Sequence, residues 1–109
     1  MKSIKNKIQL IGNVFSVLVV HEGDFRYVKI LVSTNENYMS LNGRKSTDIM
    51  YHTCYGFSKH VDIVDRYVKV GYEIAMEGSL INESYLVGHE EVVKTSIHIA
   101  DLLILSNNR

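Results

Sequence analysis

At 109 residues the chain has room for one hydrophobic core, so a single domain over residues 1–109 is expected and multidomain readings are excluded. With 46% hydrophobic and 22% charged residues it lies outside the apolar-poor, highly charged range that leaves chains disordered. Twelve Lys plus Arg balance twelve Asp plus Glu, but residues 1–59 hold eight basic and four acidic residues, a local +4, which leaves −4 for residues 60–109. A fold that gathers the first half's charges would give this neutral protein a basic face for a polyanion.

In chain order, Ile8 and Leu10 two apart predict a first strand over Lys5–Val14, and Val28, Ile30 and Val32 against Lys29 and Ser33 predict a second over Asp24–Thr34. Asn35–Thr47 is polar, with Asn42-Gly43 favouring positive φ, and reads as a long hairpin arm. Asp48–Phe57 alternates Ile49, Tyr51, Thr53, Tyr55 and Phe57 against Met50, His52 and Cys54, a third strand. The period then changes. After Ser58, a plausible N-cap, Val61, Val64, Tyr67 and Val68 fall at helical spacing and Gly71 stops a helix over 59–70. From Tyr72 to about Asn82 the period returns to two, with Ile74 and Met76 facing one way. A turn near Gly88 follows, then a last strand over Val92–Leu105 with Ile97 and Ile99 opposite Ser96 and His98.

Three strands, one short helix between the third and fourth, and two more strands is the order of an OB-fold. That is an all-β, five-stranded, partly open Greek-key barrel that binds on its second and third strands and neighbouring loops. Glycines 12, 56, 71 and 78 stand where a small barrel needs bends or bulges, and with no proline every strand ladder is left whole.

Catalytic and metal readings are weak. Gly43-Arg44-Lys45-Ser46-Thr47 lacks the upstream glycine and following helix of a phosphate-binding loop. The five histidines show no metal-ligand spacing, so no metal or cofactor is expected. His52 and Cys54 share a strand face but lack an orienting acid, and no enzyme activity is expected. Cys54 is the single cysteine, which excludes an internal disulfide and suits a cytoplasmic, reducing setting. No run reaches the roughly 18 apolar residues of a membrane helix, so no membrane partner is expected.

The aromatic residues say more. Tyr38 falls on the polar arm, Tyr51, Tyr55 and Phe57 share one strand face, and Tyr85 falls in the expected turn between strands four and five. Interleaved with Arg44, Lys45 and Lys59, they make a stacking platform for unpaired bases, since every base has a π-face and the backbone needs cations.

Four segments then carry a resemblance: Asn6-Lys7-Ile8-Gln9-Leu10-Ile11-Gly12-Asn13 to N-K-[VI]-x-L-[VI]-G-N, Tyr51-His52 with Phe57-Ser58-Lys59 to W-H-x-x-x-x-F-G-K, Tyr67–Gly71 to Y-[LV]-x-K-G, and Glu77-Gly78-Ser79-Leu80 to E-G-x-L. In this order, over about residues 6–105, the chain resembles the bacterial single-stranded DNA-binding protein family. The resemblance implies base stacking at Tyr38, Tyr51, Phe57 and Tyr85, Lys59 among the phosphate ligands, His52 near a subunit contact, and a homotetramer, failing that a dimer, wrapped by single-stranded DNA. Lys7, Arg44, Lys45 and Lys59 are the candidate phosphate ligands. Two departures point to lower affinity: Ile81, Asn82 and Glu83 replace the family's basic residues after E-G-x-L, and an apolar Val14–Val20 replaces its acidic-Pro first loop. The family's acidic, Phe-ending tail does not follow Leu105, so partner recruitment by that route is not expected. The expected function is sequence-tolerant binding and protection of single-stranded DNA in replication, recombination, repair or plasmid transfer. The alternative is a protein-docking module resembling the small primosomal replication protein, with nucleic-acid binding secondary.

Overall fold

In a computed structural model, residues 6–39 and 41–106 are described, with the backbone alone for Tyr38 and Ser46. The elements are β1 (Ile8–Glu22), β2 (Phe25–Met39), β3 (Lys45–Phe57), α1 (Lys59–Tyr67), β4 (Glu73–Val87) and β5 (Glu90–Ser106). The strands close into a barrel in the order β1-β2-β3-β5-β4, with β4 returning to β1. This is the expected all-β five-stranded OB barrel with its helix between β3 and β4. It is closed rather than partly open, because β3 and β5 run parallel for a short stretch, Cys54 opposite Ile97 and Tyr55 opposite His98.

The inward residues follow the sequence period. Val28, Ile30 and Val32 of β2, Cys54 of β3, Ile74 and Met76 of β4, and Ile97 and Ile99 of β5 form the buried core. Each such aliphatic side chain contributes about 1.5–3 kcal/mol by leaving water. Helix α1 closes one end of the barrel through Val61 and Val64, with Val68 just beyond it. An exposed ion pair of 3.0 Å between Arg26 of β2 and Asp62 joins it to the sheet.

The structure changes four of the expected boundaries. β1 continues through Val14–Val20, so that segment is strand and not an apolar first loop. The reason is a bulge: Val14 pairs with Val32 but Ser16 with Leu31, leaving Phe15 as an extra residue. Before it the inward residues are even-numbered, and after it they are odd, Val17 and Val19, so the alternation breaks phase where the strand seemed to end. The polar arm is itself ladder, β2 and β3 pairing out to Met39 opposite Lys45, with Gly43 at φ 83° in the turn. β4 likewise runs to Val87, and only Gly88 and His89 remain as the turn. Helix α1 ends at Tyr67 rather than 70, and Ser58 precedes it at φ 54°, ψ −122° without a side-chain capping bond.

Gly78 is required by close approach. A Cβ there would collide with the carbonyl oxygen of His98, at the β4–β5 bulge where Glu77 pairs with Asp101 and Gly78 with Ile99.

Candidate functional site

Since Cys54 and Gly56 point into the barrel, alternation turns Tyr51, Tyr55 and Phe57 outward on β3. The neighbouring strand adds rings to that face. Tyr27 lies opposite Phe57 and Lys29 opposite Tyr55. Centroid separations are 6.2 Å for Tyr27–Phe57, 6.0 Å for Tyr27–Tyr55 and 5.9 Å for Phe25–Phe57, the last pair within 28° of parallel. From β5, His98 sets its ring edge-on to Phe57 at 4.7 Å. Lys94 Nζ donates to the Tyr55 hydroxyl at 3.1 Å and lies 5.7 Å from that ring's centre. The Tyr55 hydrogen bond holds the Lys94 ammonium above its ordinary range, with Glu83 adding a smaller push.

Further along β3, the β1 bulge aims Phe15 out of the barrel, and its ring meets Tyr51 edge-on at 4.9 Å. Both remain open to solvent, 54% and 51% exposed. Tyr85, 50% exposed, lies in β4 opposite Val92 and not in a turn. With Glu83 opposite Lys94, alternation puts Tyr85 on the Lys94 side of the β4–β5 arm.

Of the residues singled out from sequence, Tyr51 and Phe57 share this face directly, and Tyr85 joins it on the adjoining arm. Tyr38 of β2 pairs through its backbone with Ser46 of β3, and its side chain lies outside the described residues. Lys59 is exposed at the first position of α1, two residues after Phe57. Lys45 opens β3, and Arg44 lies in the preceding turn with its backbone N–H on Asn42 Oδ1 at 3.3 Å. Lys7 stands apart from the rings, paired with Glu77 at 3.2 Å. That glutamate is held below its usual range by the Gln9 amide first and by Lys7 second. The His52 ring is half-buried and within 2.9 Å of the Thr34 hydroxyl.

Phe15, Phe25, Tyr27, Lys29, Lys94 and His98 were missed by sequence reasoning. For Phe25, Tyr27 and Lys29 the signal was present, since their parity opposes the buried Val28, Ile30 and Val32. Phe15 could not be placed before the bulge was known. Lys94 and His98 alternate correctly along the last strand, but that β5 lies beside β3 is a tertiary fact.

The arrangement is poor in reactive groups. Burial pushes the Cys54 thiol up to about 12, and its sulfur lies 3.7 Å from the His52 carbonyl oxygen, so at neutral pH it is a protonated core side chain. Among the described residues, no group of three or more His, Cys, Asp or Glu side chains could hold a metal ion, and no helix is long and apolar enough to cross a membrane.

Comparison with known proteins agrees with this fold. The model of the family described as "Single-strand binding protein family" matches residues 5–105. No curated protein matches the chain. Among solved structures, a Plasmodium falciparum SSB in complex with ssDNA is similar with a TM-score of 0.83 at 22% identity, covering 97% of this chain and 99% of that one. A small single-stranded DNA-binding protein from Streptomyces coelicolor gives 0.72 at 12% identity, with 93% and 95% covered. A deletion mutant of the single-stranded DNA-binding protein from Thermus aquaticus gives 0.78 at 13% identity, covering 94% of this chain and 51% of that one.

Proposed function

The chain belongs to the single-strand binding protein family, and on that premise we propose that it binds single-stranded DNA with little sequence preference on the outer face of β2, β3 and β5. The observation that carries this reading is the row of outward aromatics on β3, with Tyr51 half-exposed and Phe57 flanked by further rings. Exposed rings on a barrel face offer bases a sequence-tolerant stacking surface. Tyr38, Tyr51, Phe57 and Tyr85 stack on bases, and Lys7, Arg44, Lys45 and Lys59 neutralise phosphates. Lys7 must exchange its partner Glu77 for a phosphate to do so. The protein works in the cytoplasm, as one domain over residues 1–109, without catalysis or cofactor, protecting strands opened in replication, recombination, repair or plasmid transfer.

Self-association belongs to the same reading. Ile11, Ala75 and Leu103 stand side by side across β1, β4 and β5, with Ile11 62% and Leu103 63% exposed. This apolar stripe on an outer sheet face supports a homotetramer or, failing that, a dimer. His52 is proposed to lie near a subunit contact.

The test is an oligonucleotide titration at two salt concentrations, followed by tyrosine fluorescence since the chain has seven Tyr and no Trp. Affinity should fall with salt at a log-log slope of about −0.7 per neutralised phosphate. Tyr85→Ala should weaken binding about five-fold to more than a hundred-fold, while stability stays within about 0.5 kcal/mol of the parent. Parental affinity in a folded Tyr85→Ala protein, or binding indifferent to salt, favours the protein-docking module instead.

A further inference from the structure

Phe25, Tyr27 and Tyr55 lie beyond the set of stacking positions named above, yet they and Phe57 make one continuous aromatic surface across two strands, edged by His98 from a third. Four features of this patch point to a ligand rather than to packing. It lies outside the barrel, on the solvent side of a core already filled by Val28, Cys54 and Ile99. Phe25 is 53% exposed at the start of β2, so with its ring neighbours it opens a contiguous apolar patch to solvent, and such patches mark interaction sites. Phe25 and Phe57 stack within 28° of parallel at 5.9 Å, an arrangement that a planar base can extend. Finally, a cation is fixed at the rim, where Lys94 is held by the Tyr55 hydroxyl at 3.1 Å. Rings beside an anchored ammonium match a repeating ligand in which every planar base is joined to a phosphate.

Resting on the reading of this chain as a binder of single-stranded DNA, we propose that Phe25, Tyr27 and Tyr55 form a second base-stacking station continuous with Phe57, and that Lys94, positioned by Tyr55, receives the phosphate of the nucleotide stacked there. Tyr51 to Phe57 covers about 20 Å of β3 at roughly 3.3 Å per residue. The second station carries the path sideways, over Tyr27 and Phe25 toward the turn that joins β1 to β2. The length of strand taken by one subunit is therefore greater than the positions along β3 alone would occupy.

The test uses the unaltered protein first. Oligo(dT) of about 16 nucleotides, the upper end of the span one OB-fold takes, is substituted with 5-iododeoxyuridine, bound and photocrosslinked, and the adducts are mapped by mass spectrometry. Adducts on Phe25, Tyr27 or Tyr55 are expected alongside those on Tyr51 or Tyr85. Two variants follow, each at an exposed side chain and each checked by thermal melting. Phe25→Ala should weaken oligo(dT) binding about five-fold or more, and Lys94→Gln should make the salt slope shallower by about 0.7. If adducts fall only on Tyr51 and Tyr85, and both variants keep the parental affinity and slope, the second station is wrong while the binding of single-stranded DNA stands. If the unaltered protein neither binds nor crosslinks, the reading beneath it falls as well, and the patch with it.

Discussion

Cys54 shows how burial fixes the protonation state of a single side chain. Its sulfur is buried at the point where β3 meets β5, and that burial pushes its ionisation up to about 12. In an unfolded chain a thiol ionises at about 8.5. Between these values only the unfolded chain loses the proton, so this contribution to stability is whole below about pH 8.5 and drains away as pH rises toward 12. Cys54→Ala leaves a cavity and should be less stable at pH 7. Its deficit should then shrink at alkaline pH by up to about 1.4 kcal/mol per pH unit. Urea melts of both proteins at pH 7, 9 and 10 provide the comparison, and parallel stability curves would contradict the assignment. The outward neighbours of Cys54 are governed by the same alternation: Cys54 and Gly56 turn into the barrel, and Tyr55 and Phe57 between and beside them turn out. That is why Tyr51, Tyr55 and Phe57 were legible from sequence as a group, while their partner rings depend on which strands lie alongside.

Among the elements, the passage from β3 into α1 carries the clearest local strain. Ser58 holds φ 54° and ψ −122°, a conformation that L-residues with a Cβ seldom occupy, and its hydroxyl gives the helix no capping bond. The motif that this segment resembles has glycine at the position, and the backbone explains the preference. Such a conformation costs about 1–3 kcal/mol in a non-glycine residue, against about 0.4–1 kcal/mol that glycine loses through the freedom of the unfolded chain. Ser58→Gly should therefore stabilise the protein by about 0.5–2 kcal/mol, seen as a higher urea midpoint with an unchanged m-value. No change, or a loss, would mean that the turn carries no strain. The existence of each element was readable, and so was core parity up to the bulges, whereas parity beyond them and the strand ends were not. Phe15 and Ala100 are extra residues at bulges, and each shifts the inward set by one, from Val14 to Val17 in β1 and from Ile99 to Leu102 in β5. A period-two pattern cannot carry through such a shift. The β4–β5 arm was missed for another reason: beyond the barrel both strand faces meet solvent, so Ile81 to Glu91 show no buried residue to keep the period.

For the whole molecule, neutrality and polyanion binding are compatible because charge is distributed by face. Lys29 and Lys94 stand on the aromatic face, whereas Glu77 and Asp101 lie beside the Ile11, Ala75 and Leu103 stripe. A standard stable interface buries about 800 Å² on each partner, and in the proposed assembly the stripe would be the apolar centre of one. Ile11→Glu should put a charge at that centre and reduce the assembled mass measured by light scattering at tens of micromolar, with the far-UV spectrum unchanged. A parent that is monomeric at that concentration would remove the basis for assembly. The barrel itself is held shut unevenly, since long antiparallel ladders join β2 to β3 and β4 to β5, while the parallel seam joins only Cys54 to Ile97 and Tyr55 to His98. Phe57 against His98, and Tyr55 bonded to Lys94, lie on the outside of that seam. On the proposed binding face, a nucleic-acid strand laid over these residues would touch both lips of the barrel's shortest seam and act as a clasp. Occupancy on the surface is then felt inside as slower breathing, with the amides of Ile97 and His98 exchanging their hydrogens less readily when the face is filled.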